Sequence, residues 1–197
     1  MPQAKTETKN DLPIVELKNQ AAWERWLAKN HERQQGVWLK FAKKAAPVTT
    51  IDHGAALETA LCYGWIDAQA ARYDDHYYLI RFTPRRKRSI RSQLNREHVE
   101  RLIADGRMKP PGLAQVEAAK ADGRWEAAYP AQSTATVPED FQAALDGHRQ
   151  AKQFFETLTG STRYAFLFRL HNTRTAQGRA KRIADYIDRL SERKTLT

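Results

Sequence analysis

Two runs with β character, residues 65–72 (Trp-Ile-Asp-Ala-Gln-Ala-Ala-Arg) and 76–82 (His-Tyr-Tyr-Leu-Ile-Arg-Phe), flank Tyr73-Asp74-Asp75. Aspartate tolerates turn geometry and can hydrogen-bond its own backbone, so this spacing predicts an antiparallel hairpin. A hairpin alone is marginal in water, and three strands with one face covered are needed for stability. Residues 37–42, which follow Gly36 and alternate β-branched and aromatic side chains, supply a third strand. The expectation is a small antiparallel sheet of about three strands.

The rest of the chain reads as helix. Asn19 can cap a helix whose Trp23, Trp26 and Leu27 recur at helical spacing and which ends near Asn30. Pro47 breaks the chain, and Thr49 or Thr50 then caps a helix over 51–63. Its apolar face is Ile51, Ala55, Leu57, Leu61 and Cys62, with Gly64 as the stop. From Ser89 onward the pattern predicts helices over 92–105, 111–122, 138–146, 150–158, 161–172 and 175–192. Gly106, Gly123, Gly147 and Gly160 punctuate them, and Pro111 and Pro138 suit helix starts. Strands early, helices late and no βαβ alternation make the class α+β, a sheet packed with helices and followed by a C-terminal helical bundle. The expected organisation is a flexible tail over 1–10, a main domain over 11–128, a linker over 129–137 and a C-terminal helical region over 138–197.

The formal net charge is +10 and the pI is near 9.8. The excess sits in two blocks, residues 81–107 with nine basic residues against three acidic and residues 161–197 with nine against three. Long-range attraction then favours nucleic acid, anionic membrane surfaces or acidic ligands, or else the charges form a solvated face. The single cysteine, Cys62, excludes an internal disulfide and any CxxC motif, which fits a reducing compartment. The first ten residues lack an apolar core of the kind a signal peptide needs, and no window reaches the length of a membrane span. The cytoplasm is the expected location; the oligomeric state is not readable.

Several motifs point to a family. Trp26-Leu27 with Asn30-His31, Gly36-Val37-Trp38-Leu39, Lys43-Lys44, the run from Ala60 to Asp67 and Arg81-Phe82-Thr83-Pro84-Arg85-Arg86 stand in one order. Gly106-Arg107-Met108, the run from Ala119 to Trp125, Val137-Pro138-Glu139-Asp140, Arg163-Tyr164, Thr175 and the run from Arg179 to Ile183 follow. Together, over about residues 14–192, they resemble the YdeI/OmpD-associated family, also named for bacteriocin protection. The resemblance implies a role in tolerance to antibacterial peptides or envelope stress, and supplies no reaction, cofactor or catalytic residue. Where the family pattern after the basic tract reads Ser-x-Trp-Ser, this chain has Ser89-Ile90-Arg91-Ser92.

The chemistry-bearing residues favour a binding protein over an enzyme. Cys62 falls on or beside an apolar helix face, and His53, nine residues upstream, is too far along one helix to serve it as a base. His31, His53, His76, His98, His148 and His171 show no ligand spacing, so no metal and no cofactor is expected. Asp74 and Asp75 are explained by the turn. Asp67, early in a strand beside Trp65, is expected to pair with Arg81 or Arg85, or to serve as a binding carboxylate in an aromatic pocket. Tyr78, Ile80 and Phe82 should face the core, leaving Tyr77, Leu79 and Arg81 for a wetter face. After Pro84, forked donors on Arg85 and Arg86 and hydroxyls of Ser89 or Ser92 near a helix N-terminus suit a phosphate or carboxylate. The candidate ligand-binding set is therefore Trp65, Asp67, Arg81, Thr83, Arg85, Arg86, Ser89, Ser92 and Asn95, for an anionic or aromatic ligand. Nucleic-acid binding through both basic blocks is the alternative, and an enzyme of unrecognised type the third.

Overall fold

The turn closes the hairpin through Asp74, whose Oδ1 accepts from the main-chain N–H groups of His76 (2.8 Å) and Tyr77 (2.7 Å). In the computed structural model, which describes residues 7–32 and 35–196, the elements run in the following order. β1 (Thr8–Lys9), β2 (Leu12–Glu16), α1 (Gln20–Asn30), β3 (Val37–Ala42), α2 (His53–Cys62), β4 (Trp65–Arg72) and β5 (Tyr77–Pro84) come first. Then follow α3 (Gln93–Ala104), α4 (Pro110–Ala121), α5 (Glu139–Asp146), α6 (Arg149–Thr157), α7 (Gly160–His171) and α8 (Ala176–Ser191). The fold is α+β.

The sheet has five strands, not about three, ordered β1-β2-β3-β5-β4. β2 and β3 are parallel, with Ile14, Val15 and Glu16 opposite Trp38, Leu39 and Lys40, and α1 lies between them in the chain. One βαβ crossover is therefore present where the sequence reading had none. Pro13 hides β2, because proline demotes a short apolar run to an edge or a loop. Of the stretch expected as a tail, residues 1–6 lie outside the described residues, while Thr8–Lys9 pair with Leu12 and Pro13.

Helix starts follow capping chemistry. Asn19 accepts from the Ala22 N–H at 3.0 Å, as its position suggests. α2 is capped by Asp52, accepting from the Ala55 N–H at 3.1 Å, rather than by Thr49 or Thr50. The Thr50 hydroxyl is already engaged as acceptor for the N–H of Ala42 at the end of β3 (2.8 Å). The buried face of α2 is accordingly Ala56, Thr59, Ala60, Leu61 and Cys62. Gly64, at φ +73°, ends this helix in a conformation that disfavours other residues.

The chain divides into two units, residues 1–89 with 95–126 and residues 90–94 with 127–197. In the first, α1, α2, α3 and α4 cover the sheet face that carries Val37, Leu39, Phe41, Ile80 and Phe82, and Trp23, Leu27, Ala56, Ala60, Val99, Leu102, Val116 and Ala119 complete that core. Trp23 lies 5.6 Å from Phe82 and donates its indole N–H to Ala56 O at 3.0 Å, so a large apolar ring is buried without an orphaned donor. In the second unit, α5 to α8 enclose a core of aromatic edges, with Phe166 and Tyr186 rings 4.9 Å apart and Phe141 and Phe155 rings 5.3 Å apart. Arg179 on α8 joins Asp140 on α5 through Nη2 and Oδ1 at 2.8 Å. No described helix is long and apolar enough to cross a membrane.

Candidate functional site

The hairpin places the candidate residues by strand register, and register separates them. Trp65 is opposite Pro84, Ile66 opposite Thr83 and Asp67 opposite Phe82. Phe82 faces the core, so Asp67 is turned to the helix-covered side and Arg81 to the other. Asp67 meets His53 at the start of α2, Oδ2 to Nε2 at 3.2 Å, and not Arg81 or Arg85 as expected. The His53 ring stands edge-on to Phe41 at 5.8 Å.

Trp65 is a core residue at 1% exposure. Its ring sits edge-on to Trp23 and Trp26, and its N–H donates to His31 O at 3.2 Å. An indole so packed has no open face for a ligand. Arg85 is also buried, at 7% exposure, with its main-chain N–H on Gly64 O. Arg81 lies half-buried over the Trp38 ring at 6.0 Å, and Thr83 is half-buried on the same strand. The face expected to be wet is covered too: Trp38 and Leu79 are at 1% and 0% exposure.

Beyond Pro84 the picture changes. Arg86, Lys87 and Arg88 are exposed, and among the described residues no ion pair or side-chain hydrogen bond engages them. Ser89 closes this loop with its N–H on Arg86 O at 2.9 Å, while its own carbonyl accepts from Arg124 at 3.2 Å. Ser92 belongs to the second unit, where its backbone bridges to Tyr129 and the next N–H, of Gln93, donates to Tyr129 O at 2.8 Å. One of the amides that a helix N-terminus would offer to an anion is thus already taken. Asn95 is half-buried in the first turn of α3, and Arg91 is buried.

The charge count of residues 81–107 therefore overstates the cationic surface. Arg101 and Arg107 both clasp Glu58, the latter at 2.8 Å, and Arg96 pairs with Glu100 and Glu126. Burial pushes the Glu58 carboxyl up, but the hydrogen bonds and charges of Arg107 and Arg101 outweigh it and hold the group below its ordinary range. Cys62 is buried, and burial pushes its thiol up against the opposing charges of Arg107 and Lys109. A raised thiol is a poor nucleophile at neutral pH. Among the described residues no three of His, Cys, Asp and Glu converge as metal ligands.

Residues 15–115, just over half of the chain, match the family model described as Domain of unknown function (DUF8412). The chain belongs to the DUF8412 family. The DUF8412 segment holds β3, α2, the whole hairpin, the cationic loop and α3. Residues 134–193 match a second model, described as Bacteriocin-protection, YdeI or OmpD-Associated. The resemblance to that family is thus shown over α5 to α8, and not over the full 14–192. Neither curated proteins nor solved structures match the chain.

Within the DUF8412 segment the sequence reading missed His53 as the partner of Asp67. A histidine one residue after a capping aspartate, on a helix whose end leads directly into the strand carrying Asp67, is the signal that points to it. It also missed the ladder on the far sheet face, where Lys40 reaches Glu7 at 3.4 Å and lies over the rings of Tyr73 and Tyr77 at 4.6 and 5.5 Å.

Proposed function

We propose that this chain is a non-enzymatic cytoplasmic binding protein that takes an anionic ligand on the Arg86-Lys87-Arg88 loop. Its role, in this reading, is tolerance to antibacterial peptides or envelope stress, as the name of the family matched by residues 134–193 implies. The observation that carries the reading is three consecutive exposed cations, unpaired among the described residues, at the end of a strand anchored in the core. Unpaired guanidinium and ammonium groups keep their donors for a ligand, and Arg86 and Arg88 offer forked geometry suited to phosphate or carboxylate. The aromatic half of the expected site drops out, because Trp65 is packed in the core.

The test replaces Arg86, Lys87 and Arg88 together by alanine and compares survival of cells challenged with antibacterial peptides. Arg85 is left intact, because alanine there would remove a buried side chain. Reduced survival at equal protein level is expected; unchanged survival at equal protein level overturns the proposal. Gel-shift titration with mixed-sequence DNA and RNA at low salt addresses the alternative. A shift that needs cations of both basic blocks would make the protein a nucleic-acid binder instead.

A further inference from the structure

The second unit carries a cleft whose polar side chains are both reachable and free. Gln150, Gln153, Phe154 and Thr157 recur at i, i+3, i+4 and i+7, which puts them on one side of α6. With Ser191, Glu192 and Arg193 at the end of α8 they line a cleft of about 360 Å³. Gln150, Gln153 and Arg193 are exposed. Among the described residues, no hydrogen bond or ion pair engages their side chains or the Ser191 hydroxyl. Thr157 donates its hydroxyl proton to Phe154 O at 2.6 Å, so its oxygen keeps a lone pair for an incoming donor. Phe154 is half-buried: it packs against the core that holds Phe141 and Phe155, but no aromatic ring of a described residue stacks on it.

The backbone adds an independent sign. Arg193 closes α8 at φ +54°, with its N–H on Leu190 O at 3.0 Å and the Lys194 N–H on Arg189 O at 2.8 Å. This is the helix ending whose left-handed residue is usually glycine and sometimes asparagine. The other described non-glycine residues at positive φ, Asn10 and Asp11, are of types that tolerate it; arginine is strained there. Strain of this kind persists where a side chain is used, and the side chain in question lines the cleft. The lining also defines a chemistry. Each glutamine amide offers donors and an acceptor, a hydroxyl offers both, and Arg193 only donates. Glu192 is already held by Lys194 at 2.5 Å, so a single unpaired charge stands among neutral groups. The complement is an uncharged molecule with several groups that donate and accept at once, and with an apolar face for the Phe154 ring.

We propose that the cleft between α6 and the end of α8 binds a neutral pyranose sugar, with the Gln150 and Gln153 amides and Arg193 on its hydroxyls and the Phe154 ring against its C–H face. The C–H groups of a sugar ring carry slight positive charge and suit the negative face of an aromatic ring. A cleft of this size has room for one ring and the waters that bridge its remaining hydroxyls. This site lies within residues 134–193 and is independent of the Arg86-Lys87-Arg88 loop.

Titrating the isotopically labelled full chain with methyl glucoside and methyl galactoside, and following amide resonances, tests it. The side-chain amides of Gln150 and Gln153 and the backbone amides of Ser191 to Arg193 should shift together and saturate, with a dissociation constant on the order of 1 mM for so shallow a site with at least one of the two sugars. Affinity for that sugar should fall about fivefold or more in Phe154→Leu, which keeps an apolar side chain on the core, and in Gln150→Ala/Gln153→Ala, which alters exposed positions only. Arg193→Gly separates use from architecture: the thermal midpoint should hold or rise while sugar affinity falls. No saturable shift with either sugar up to about 20 mM, or equal shifts with glycerol, overturns the proposal. So does unchanged affinity in both α6 variants, or an Arg193→Gly chain that binds sugar as the wild type does. Glucuronate binding about tenfold tighter than the neutral glucosides would make the cleft an anion site and overturn the neutral form.

Discussion

Replacing Gly112 by alanine tests the closest approach in the first unit. Gly112 lies in α4, and a Cβ built on it would stand 2.2 Å from Cys62 O, 2.8 Å from Cys62 C and 2.8 Å from Met108 Cε. The methionine tip can move; the carbonyl at the end of α2 cannot move alone, because it also accepts from the Lys109 N–H at 3.1 Å. Restoring ordinary contact requires the two segments to part by about 1 Å in a close-packed interior. Overpacking of this kind costs about 1–3 kcal/mol and weakening the carbonyl hydrogen bond about 1 kcal/mol more, while alanine returns about 1 kcal/mol of helix propensity. The expected net loss is about 1–3 kcal/mol, or on the order of 4–12 °C in midpoint for a unit of this size. All five tryptophans, at positions 23, 26, 38, 65 and 125, lie in the first unit, so intrinsic fluorescence during urea or thermal unfolding reads that unit inside the intact chain. Gly106→Ala is the control: φ is +66° but the space is open, so only the left-handed backbone penalty of about 1 kcal/mol applies. If Gly112→Ala proves as stable as wild type, or more stable by the helix-propensity gain, the reasoning that α4 rests directly on the end of α2 is wrong.

Three further outcomes follow from local geometry. Asn19→Ala should cost the first unit about 1 kcal/mol, and Asn19→Gly only a few tenths, in the same fluorescence assay; equal losses would deny the side-chain cap. Glu58 has its folded carboxyl below the ordinary range, so its contribution is present above the unfolded value and is lost as pH falls through the folded one. Wild-type stability should therefore fall more steeply on acidification than that of Glu58→Gln, and parallel curves would show that the Arg101 and Arg107 clasp adds nothing. Cys62 should react with a disulfide reagent only as fast as the chain opens, since the thiol is buried and raised; prompt labelling of the native protein would contradict this.

The helices were legible because their ends carry local chemistry. The 92–105 and 111–122 readings lie within two residues of α3 and α4, and the four later ones within a residue or so of α5 to α8, since glycine, proline and capping side chains act on their own neighbours. β2 was not legible: five residues with Pro13 among them read as loop until β3 lies alongside. The partner of Asp67 depends on strand register, and a register shift between Asp67 and Ala70 removes the simple alternation on which a cross-hairpin pairing rests. In Arg85-Arg86-Lys87-Arg88 nothing local tells which cation turns inward. The Arg85 N–H to Gly64 O bond, made between distant positions, holds the chain at this point, and Arg85 is the buried one.

That inward turn decides how salt dependence should be read. Counting residues, the 81–107 block offers nine cations to a polyanion; in the fold, Arg85 and Arg91 are buried, and Arg96, Arg101 and Arg107 are held by glutamates. Half-buried Arg81 lies against Trp38, which leaves Arg86, Lys87 and Arg88. Each phosphate neutralised on duplex DNA contributes about −0.9 to the slope of log affinity against log salt, so this loop alone supports a slope of about −3. A nucleic acid engaging a further three cations of the second unit would double it. A measured slope near −3 that vanishes in the triple-alanine loop variant therefore fits the loop as a self-contained anion site. A slope of about −5 or steeper that survives in that variant would place the binding on the 161–197 block and remove the loop from the function.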